Sequence, residues 1–229
     1  MFVLTLCLWF CLPVGPAHGG QQAEQRVTEG VVAYCFDGDT LKLTDRRVVR
    51  LAGIDAPEMA RPARGGTKND VKKGQYYARQ ARQSMVHLAQ GKKVRLFPVT
   101  DQGEKDDYGR IIADVRLEDG QSLSALMVGQ GAAFFYPHTN LNGAFMQRLL
   151  QLQKRAIAAK SGLWAHLLGL PLALNSYVGN RSSLRFFPGD CPEAQHIKPR
   201  NRIYFGTLMD AFLAGYAPAR ICLFWPTEQ

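Results

Sequence analysis

Five short strands, one helix between the third and fourth, and helices after the fifth predict an α+β fold. The arrangement expected is a five-stranded OB-fold Greek-key barrel with three helices at its side and end, followed by a small C-terminal module. Runs with a period of two recur between Gly, Asp and Pro breaks in the first half, and the helical spacing of three and four begins near residue 75. Short turns between neighbouring strands favour antiparallel pairing over a parallel α/β sheet.

The elements follow in order. Residues 1–19 carry no Lys, Arg, Asp or Glu, and their apolar run ends in small residues at Ala17 and Gly19. That is a secretory signal pattern, too short for the roughly 20 apolar residues of a membrane span. An exported protein, periplasmic or secreted, is expected, with no membrane span after signal removal. Residues 26–36, 40–44 and 47–54 read as three antiparallel strands, and Leu41 and Leu43 alternate with Thr40, Lys42 and Thr44. Residues 59–74, rich in Gly, Lys and Arg without a period, read as a mobile surface loop. A helix is expected over 75–89, with Tyr77, Ala81, Met85 and Leu88 on one face and Gly91 beyond its end. Two strands follow at 92–100 and 109–118, separated by the charged loop DQGEKDD. Helical signals resume at 122–131 and 142–159, the second with an apolar stripe of Phe145, Leu149, Leu152, Ala156 and Ala159.

With 229 residues and 46% hydrophobic residues the chain can bury a sizeable core, which excludes a disordered protein. Its net charge of +9 is unevenly spread. Residues 61–110 hold twelve Lys or Arg against five Asp or Glu, whereas residues 20–60 hold five against seven. A clustered basic excess suits either a solvated face or a phosphate backbone.

The stretch RLAGIDAPE, residues 50–58, sets an arginine and two carboxylates into an apolar strand. Asp37 and Asp39 lie in DGDT on the turn into one strand, and Asp55 and Glu58 lie at the exit of the next. Each motif alone also reads as a turn. Neighbouring strands usually pair, so the two ends can bring carboxylates within reach of a hard divalent cation. Arg50 and Arg110 fall in or beside apolar strands, where a guanidinium is either a surface position or a phosphate clamp. Arg50 and Asp55 are five apart and would face opposite sides of a regular strand, which predicts a bulge or turn near Gly53.

DGDTLKL, RLAGIDAPE and DDYGR, in that order and with GLWA after the last helix, strongly resemble the staphylococcal-nuclease family over about residues 27–164. The resemblance implies an OB-type barrel with three helices, one Ca²⁺ ion and hydrolysis of phosphodiester bonds in DNA and RNA by 5′ P–O cleavage that leaves 3′-phosphates. Single-stranded or denatured substrate and a monomeric protein are expected with it. Carried across, the metal ligands fall on Asp39, Asp55 and the carbonyl of Ala56, and the catalytic residues on Arg50, Glu58 and Arg110. Ala56 stands where the family more often has Thr, which leaves a main-chain ligand untouched. Tyr108 matches the family's tyrosine, but Asp107 replaces its phosphate-binding lysine, so Lys105 or the basic loop is expected to take that part. Tyr136 reads equally as a base-stacking platform and as core. The alternative to an enzyme is a non-catalytic nucleic-acid-binding OB-fold protein.

Residues 176–222 exceed what that fold needs. They resemble the zinc-binding module of Ada-type DNA-repair proteins through CPEAQHIK, NRIYF and AGYAPARIC. The ligand pattern is broken, with Phe187 and Ala219 at two of the four ligand positions and Cys191 and Cys222 at the others, so zinc is not expected. A Cys191–Cys222 disulfide is expected in its place, and Cys35 is expected to be a buried free thiol. The boundaries are 1–19 for the signal, 25–165 for the barrel domain and 176–225 for the module.

Overall fold

The computed structural model of the chain describes residues 27–62, 71–72, 75–99, 105–137, 141–219, 221–222 and 225–226. The signal segment and most of the 59–74 and 101–104 loops lie outside them. Strands β1 (Thr28–Cys35), β2 (Thr40–Leu43) and β3 (Val48–Leu51) run antiparallel in sequence. The third strand ends at Leu51, earlier than its apolar run suggests, because a turn at Ala52–Gly53 splits off β4 (Ile54–Asp55). Arg61–Pro62 and Val71–Lys72 form a short antiparallel pair, β5 and β6, inside the stretch read as loop.

Helix α1 (Ala78–Ala89) starts three residues later than its pattern suggests. Tyr77 sits in the left-handed region at φ 70°, and Gln75 is tied by its main chain and side chain to Glu58. Ala81 and Met85 are fully buried, while Tyr77 and Leu88 pack against the core from half-buried positions. Strands β7 (Lys93–Pro98) and β8 (Ile111–Leu117) complete the barrel, whose order is β1-β2-β3-β8-β7 and back to β1. Four of its five contacts are antiparallel; β3 and β8 close it in parallel, with Arg50 opposite Ile112. This is the five-stranded OB-type barrel. Its interior holds Val32, Leu41, Leu43, Val49, Leu51, Val94 and Val115.

Helix α2 (Leu123–Gly129) begins on a Ser122 cap, and β9 (Phe134–Phe135) then pairs with β4. Helix α3 (Gly143–Ala158) begins on Asn142, whose side chain accepts from the amides of Ala144 and Phe145. Its buried residues are Leu149, Gln153, Ala156 and Ile157, so the stripe rotates away from the exposed Ala159 and takes in an amide. A short helix α4 (Trp164–Leu167) follows.

Beyond it, β10 (Tyr177–Asn180), β11 (Arg185–Pro188), β12 (Arg202–Phe205) and β13 (Ala217–Pro218) form a second sheet in the order β12-β10-β11-β13, with α5 (Leu208–Leu213) packed on it. Cys191 and Cys222 are bonded and cluster with Phe187, and Ala219 is buried nearby in sequence. Cys35 is a buried free thiol. A second core joins this sheet to the barrel's helices: Phe134, Ala156, Ile157 and Trp164 pack with Tyr177, Phe186 and Phe212. Among the described residues no helix is long and apolar enough to cross a membrane.

Candidate active site

Asp37 closes the turn into β2 by accepting from the amides of Asp39 at 3.0 Å and Thr40 at 2.7 Å. The turn presents Asp39, 3% exposed, at the end of the barrel. On the far side of β3, Gly53 takes φ +73°, and a Cβ there would lie 2.6 Å from a Leu149 methyl. The expected turn is therefore present, and it returns Asp55 toward Arg50.

Arg50 joins the two acidic motifs. Its Nη1 donates to Asp39 Oδ1 at 2.8 Å, and its Nη2 donates to Asp55 Oδ1 at 2.6 Å and to the Ile54 carbonyl at 3.3 Å. The amide of Ala56 donates to the other Asp39 oxygen at 3.1 Å. Burial works against the charge on Arg50, but the Asp39 and Asp55 carboxylates outweigh it and raise its pKa above the ordinary value. Burial pushes the Asp39 carboxyl up; Arg50 pulls it back and Asp37 adds to the rise.

Thr40 carries the network onward, donating to Asp39 Oδ1 at 2.7 Å and accepting from Arg110 Nη1 at 3.3 Å. Arg110 is held by Asp106, whose carboxylate takes its main-chain amide at 3.0 Å and its Nε at 2.8 Å. Burial disfavours the Asp106 carboxylate, yet these bonds hold it below the ordinary value. The result is a continuous chain of polar contacts, Asp55–Arg50–Asp39–Thr40–Arg110–Asp106. Tyr108, 66% exposed, lies under the Arg110 guanidinium at 5.4 Å. Lys105 stands apart from the chain on an exposed bridge to Ile111, but it lines the same open cavity of about 770 Å³ as Tyr108, Arg110, Arg46 and Arg47. Glu58 is half-buried at the exit of β4, its main chain clamped in both directions by Gln75 at 2.8 Å. Tyr136 lies beside Arg50, the guanidinium carbon 5.9 Å from its ring centre.

Residues 48–166 match the family described as staphylococcal nuclease homologue. The chain belongs to this family. Over 139 residues this nuclease homologue is 34% identical to an uncharacterized endonuclease of Escherichia coli, covering 59% of the chain and 76% of that protein. It is 30% identical over 119 residues to the probable staphylococcal-like nuclease CAN1 of Oryza sativa subsp. japonica, across 51% of the chain and 28% of the rice protein. Endonuclease YhcR of Bacillus subtilis (strain 168) is 26% identical over 211 residues, 82% of the chain and 16% of that larger protein.

The donor chemistry of the nuclease homologue suits a hard divalent cation. Two carboxylates, Asp39 and Asp55, share one guanidinium in a buried site, which leaves an excess negative charge that a cation relieves. Among the described residues no cluster of three or more His, Cys, Asp or Glu side chains is arranged to hold an ion. Beside two carboxylates, a hard cation also accepts main-chain carbonyls and water. Thr40 and Asp106, which sequence reasoning passed over, tie the two arginines together. The Asp106 spacing to the Tyr108 and Arg110 amides is an Asx-turn signal that could have found it. Nothing local announces Thr40 as a relay.

Proposed function

We propose that the protein is an exported Ca²⁺-dependent nuclease that hydrolyses phosphodiester bonds of DNA and RNA, preferring single-stranded or denatured substrate and leaving 3′-phosphates. The observation that carries the proposal is the unbroken contact chain from Asp55 through Arg50, Asp39 and Thr40 to Arg110 at one end of an OB-type barrel. A protein that only bound nucleic acid would gain little from burying two carboxylates around a guanidinium, an arrangement that costs desolvation. The endonuclease relatives and the net charge of +9 support the same reading.

In this reading Asp39, Asp55 and the Ala56 carbonyl would hold one Ca²⁺ ion, which when bound neutralises charge on a phosphate oxygen. Arg50 and Arg110 hold the scissile phosphate from two sides and offset the charge that develops on it in the transition state. Thr40 and Asp106 keep the two guanidiniums at a set separation, so little reorganisation is left for the reaction. Glu58 orients the attacking water or accepts its proton. Tyr108 and Tyr136 offer aromatic faces to bases, and Lys105 meets a neighbouring phosphate.

Residues 25–165 form the nuclease domain of a monomer, and residues 176–225 a degenerate Ada-type module without zinc. The clustering of Phe187 with the bonded Cys191 and Cys222 supports this second reading, since a covalent staple and an apolar side chain stand at former ligand positions.

The test is cleavage of denatured DNA with Ca²⁺ and with chelator. Cleavage is expected only with Ca²⁺, and Arg110→Ala or Glu58→Gln is expected to lower kcat by about 10²- to 10³-fold, the loss typical of one preorganised group. Binding without cleavage in Ca²⁺ would replace the enzyme with a binding protein.

A further inference from the structure

Arg185, the first residue of β11, reaches out of the C-terminal sheet toward the barrel. Its guanidinium lies over the ring of Tyr136, 3.5 Å from the ring centre, and its Nη2 donates to the carbonyl of Pro137 at 3.2 Å. The same ring has Arg50 at 5.9 Å, and Arg50 bonds both Asp39 and Asp55. One tyrosine ring thus touches a residue of the module and lies near the guanidinium at the centre of the site.

The surrounding chain makes this contact rigid. Along β9, Phe134 enters the second core and its neighbour Phe135 enters the barrel core, the alternation a strand imposes. Tyr136 comes next, half-buried, with its amide donating to the carbonyl of Gly53 at 2.9 Å. On the other side, β11 is held between β10 and β13, and Phe186, directly after Arg185, is fully buried. A guanidinium over an aromatic face within about 6 Å is an attractive contact. Here both partners are anchored by main-chain bonds, so the ring's orientation depends on the module.

We propose that Arg185 is a positioning residue for substrate binding: it holds the ring of Tyr136 against the nucleic-acid strand beside Arg50, and so makes the C-terminal module a wall of the substrate site. This rests on the nuclease reading above and deepens it, because it assigns the module to affinity for the strand and leaves the chemistry to the barrel. The two guanidiniums beside one ring also make that wall cationic, which suits a polyanion.

The experiment compares wild type, Arg185→Gln, Arg185→Lys, Tyr136→Leu and the Arg185→Gln/Tyr136→Leu double variant. Steady-state cleavage of denatured DNA gives kcat and KM, and fluorescence anisotropy of a labelled single-stranded oligonucleotide in chelator gives Kd. Arg185→Gln is expected to raise KM and Kd roughly tenfold, the scale of one weakened base–aromatic stack, with kcat within about twofold. Arg185→Lys should recover part of the loss, and the double variant should be no weaker than Tyr136→Leu. Unchanged KM and Kd in Arg185→Gln, or a fall in kcat that follows thermal stability while KM holds, would overturn the assignment. Additive losses in the double variant would overturn it too. If wild type cleaves nothing, the nuclease reading fails, and the oligonucleotide Kd of Arg185→Gln still decides this inference. Should Arg185→Gln not fold, the comparison of Arg185→Lys with Tyr136→Leu carries the same decision.

Discussion

Gly53 shows how one small residue makes the site. Its φ of +73° turns the chain between Arg50 and Asp55, and the Leu149 methyl leaves no room for a Cβ. Gly53→Ala is expected to cost about 2 kcal/mol or more in urea unfolding, through left-handed strain and overpacking together, and to weaken activity by displacing Asp55. Cys35 gives a second test at single-residue level. Burial pushes its thiol up from 9.0 to about 11, with Arg82 opposing and Asp37 adding to the rise. The folded protein therefore keeps a proton that the unfolded chain loses above pH 9. Stability from this group is intact below pH 9 and is lost as pH rises through about 11. Alkylation of the thiol at pH 8 should be slow in the native protein and fast after unfolding; rapid native labelling would show that the thiol is not buried.

Helix α3 faces two cores, and Gln153 is the hinge between them. Its Oε1 accepts from the Phe135 amide at 2.7 Å, and its Nε2 donates to the Phe212 carbonyl at 2.8 Å, so one buried amide ties β9 to α5. Gln153→Leu would leave the Phe135 amide without its acceptor, while the Phe212 carbonyl keeps the Gly215 amide at 3.1 Å. A loss of about 1–3 kcal/mol is expected, the cost of one buried unsatisfied group, and thermal or urea unfolding would measure it. An unchanged midpoint would mean that water replaces the amide. The element pattern itself is legible in the sequence where it rests on short-range periodicity, as in β2, where Leu41 and Leu43 are both fully buried. It is less legible in α3, because the amide that holds the interface interrupts the apolar stripe.

The barrel and the C-terminal sheet share a core through Phe134, Trp164, Phe186 and Phe212, with Trp164 and Phe212 edge to face at 4.8 Å. The Cys191–Cys222 bond joins positions 31 residues apart and encloses β12, α5 and β13. Reduction is expected to destabilise the protein by roughly 3–4 kcal/mol in the chain-entropy description, visible as a lower unfolding midpoint in reductant. A midpoint insensitive to reductant would mean that the apolar packing around Phe187 suffices. Through the shared core, loss of stability in the module should reach β9 and Tyr136, and hence the candidate site.

Apart from Asp106, the charged residues of that site are legible from the chain alone because their signals are local: aspartates in a turn before a strand, a glycine where two functional side chains must meet, an arginine inside an apolar run. The barrel is legible for the same reason, since strand period and turn chemistry act over a few residues. The partners of Gln153, 18 and 59 residues away, and of Arg185, 48 residues away, are not. An isolated glutamine or arginine carries no mark of which distant face it will meet. That choice is made only when two cores pack against the opposite sides of one short strand.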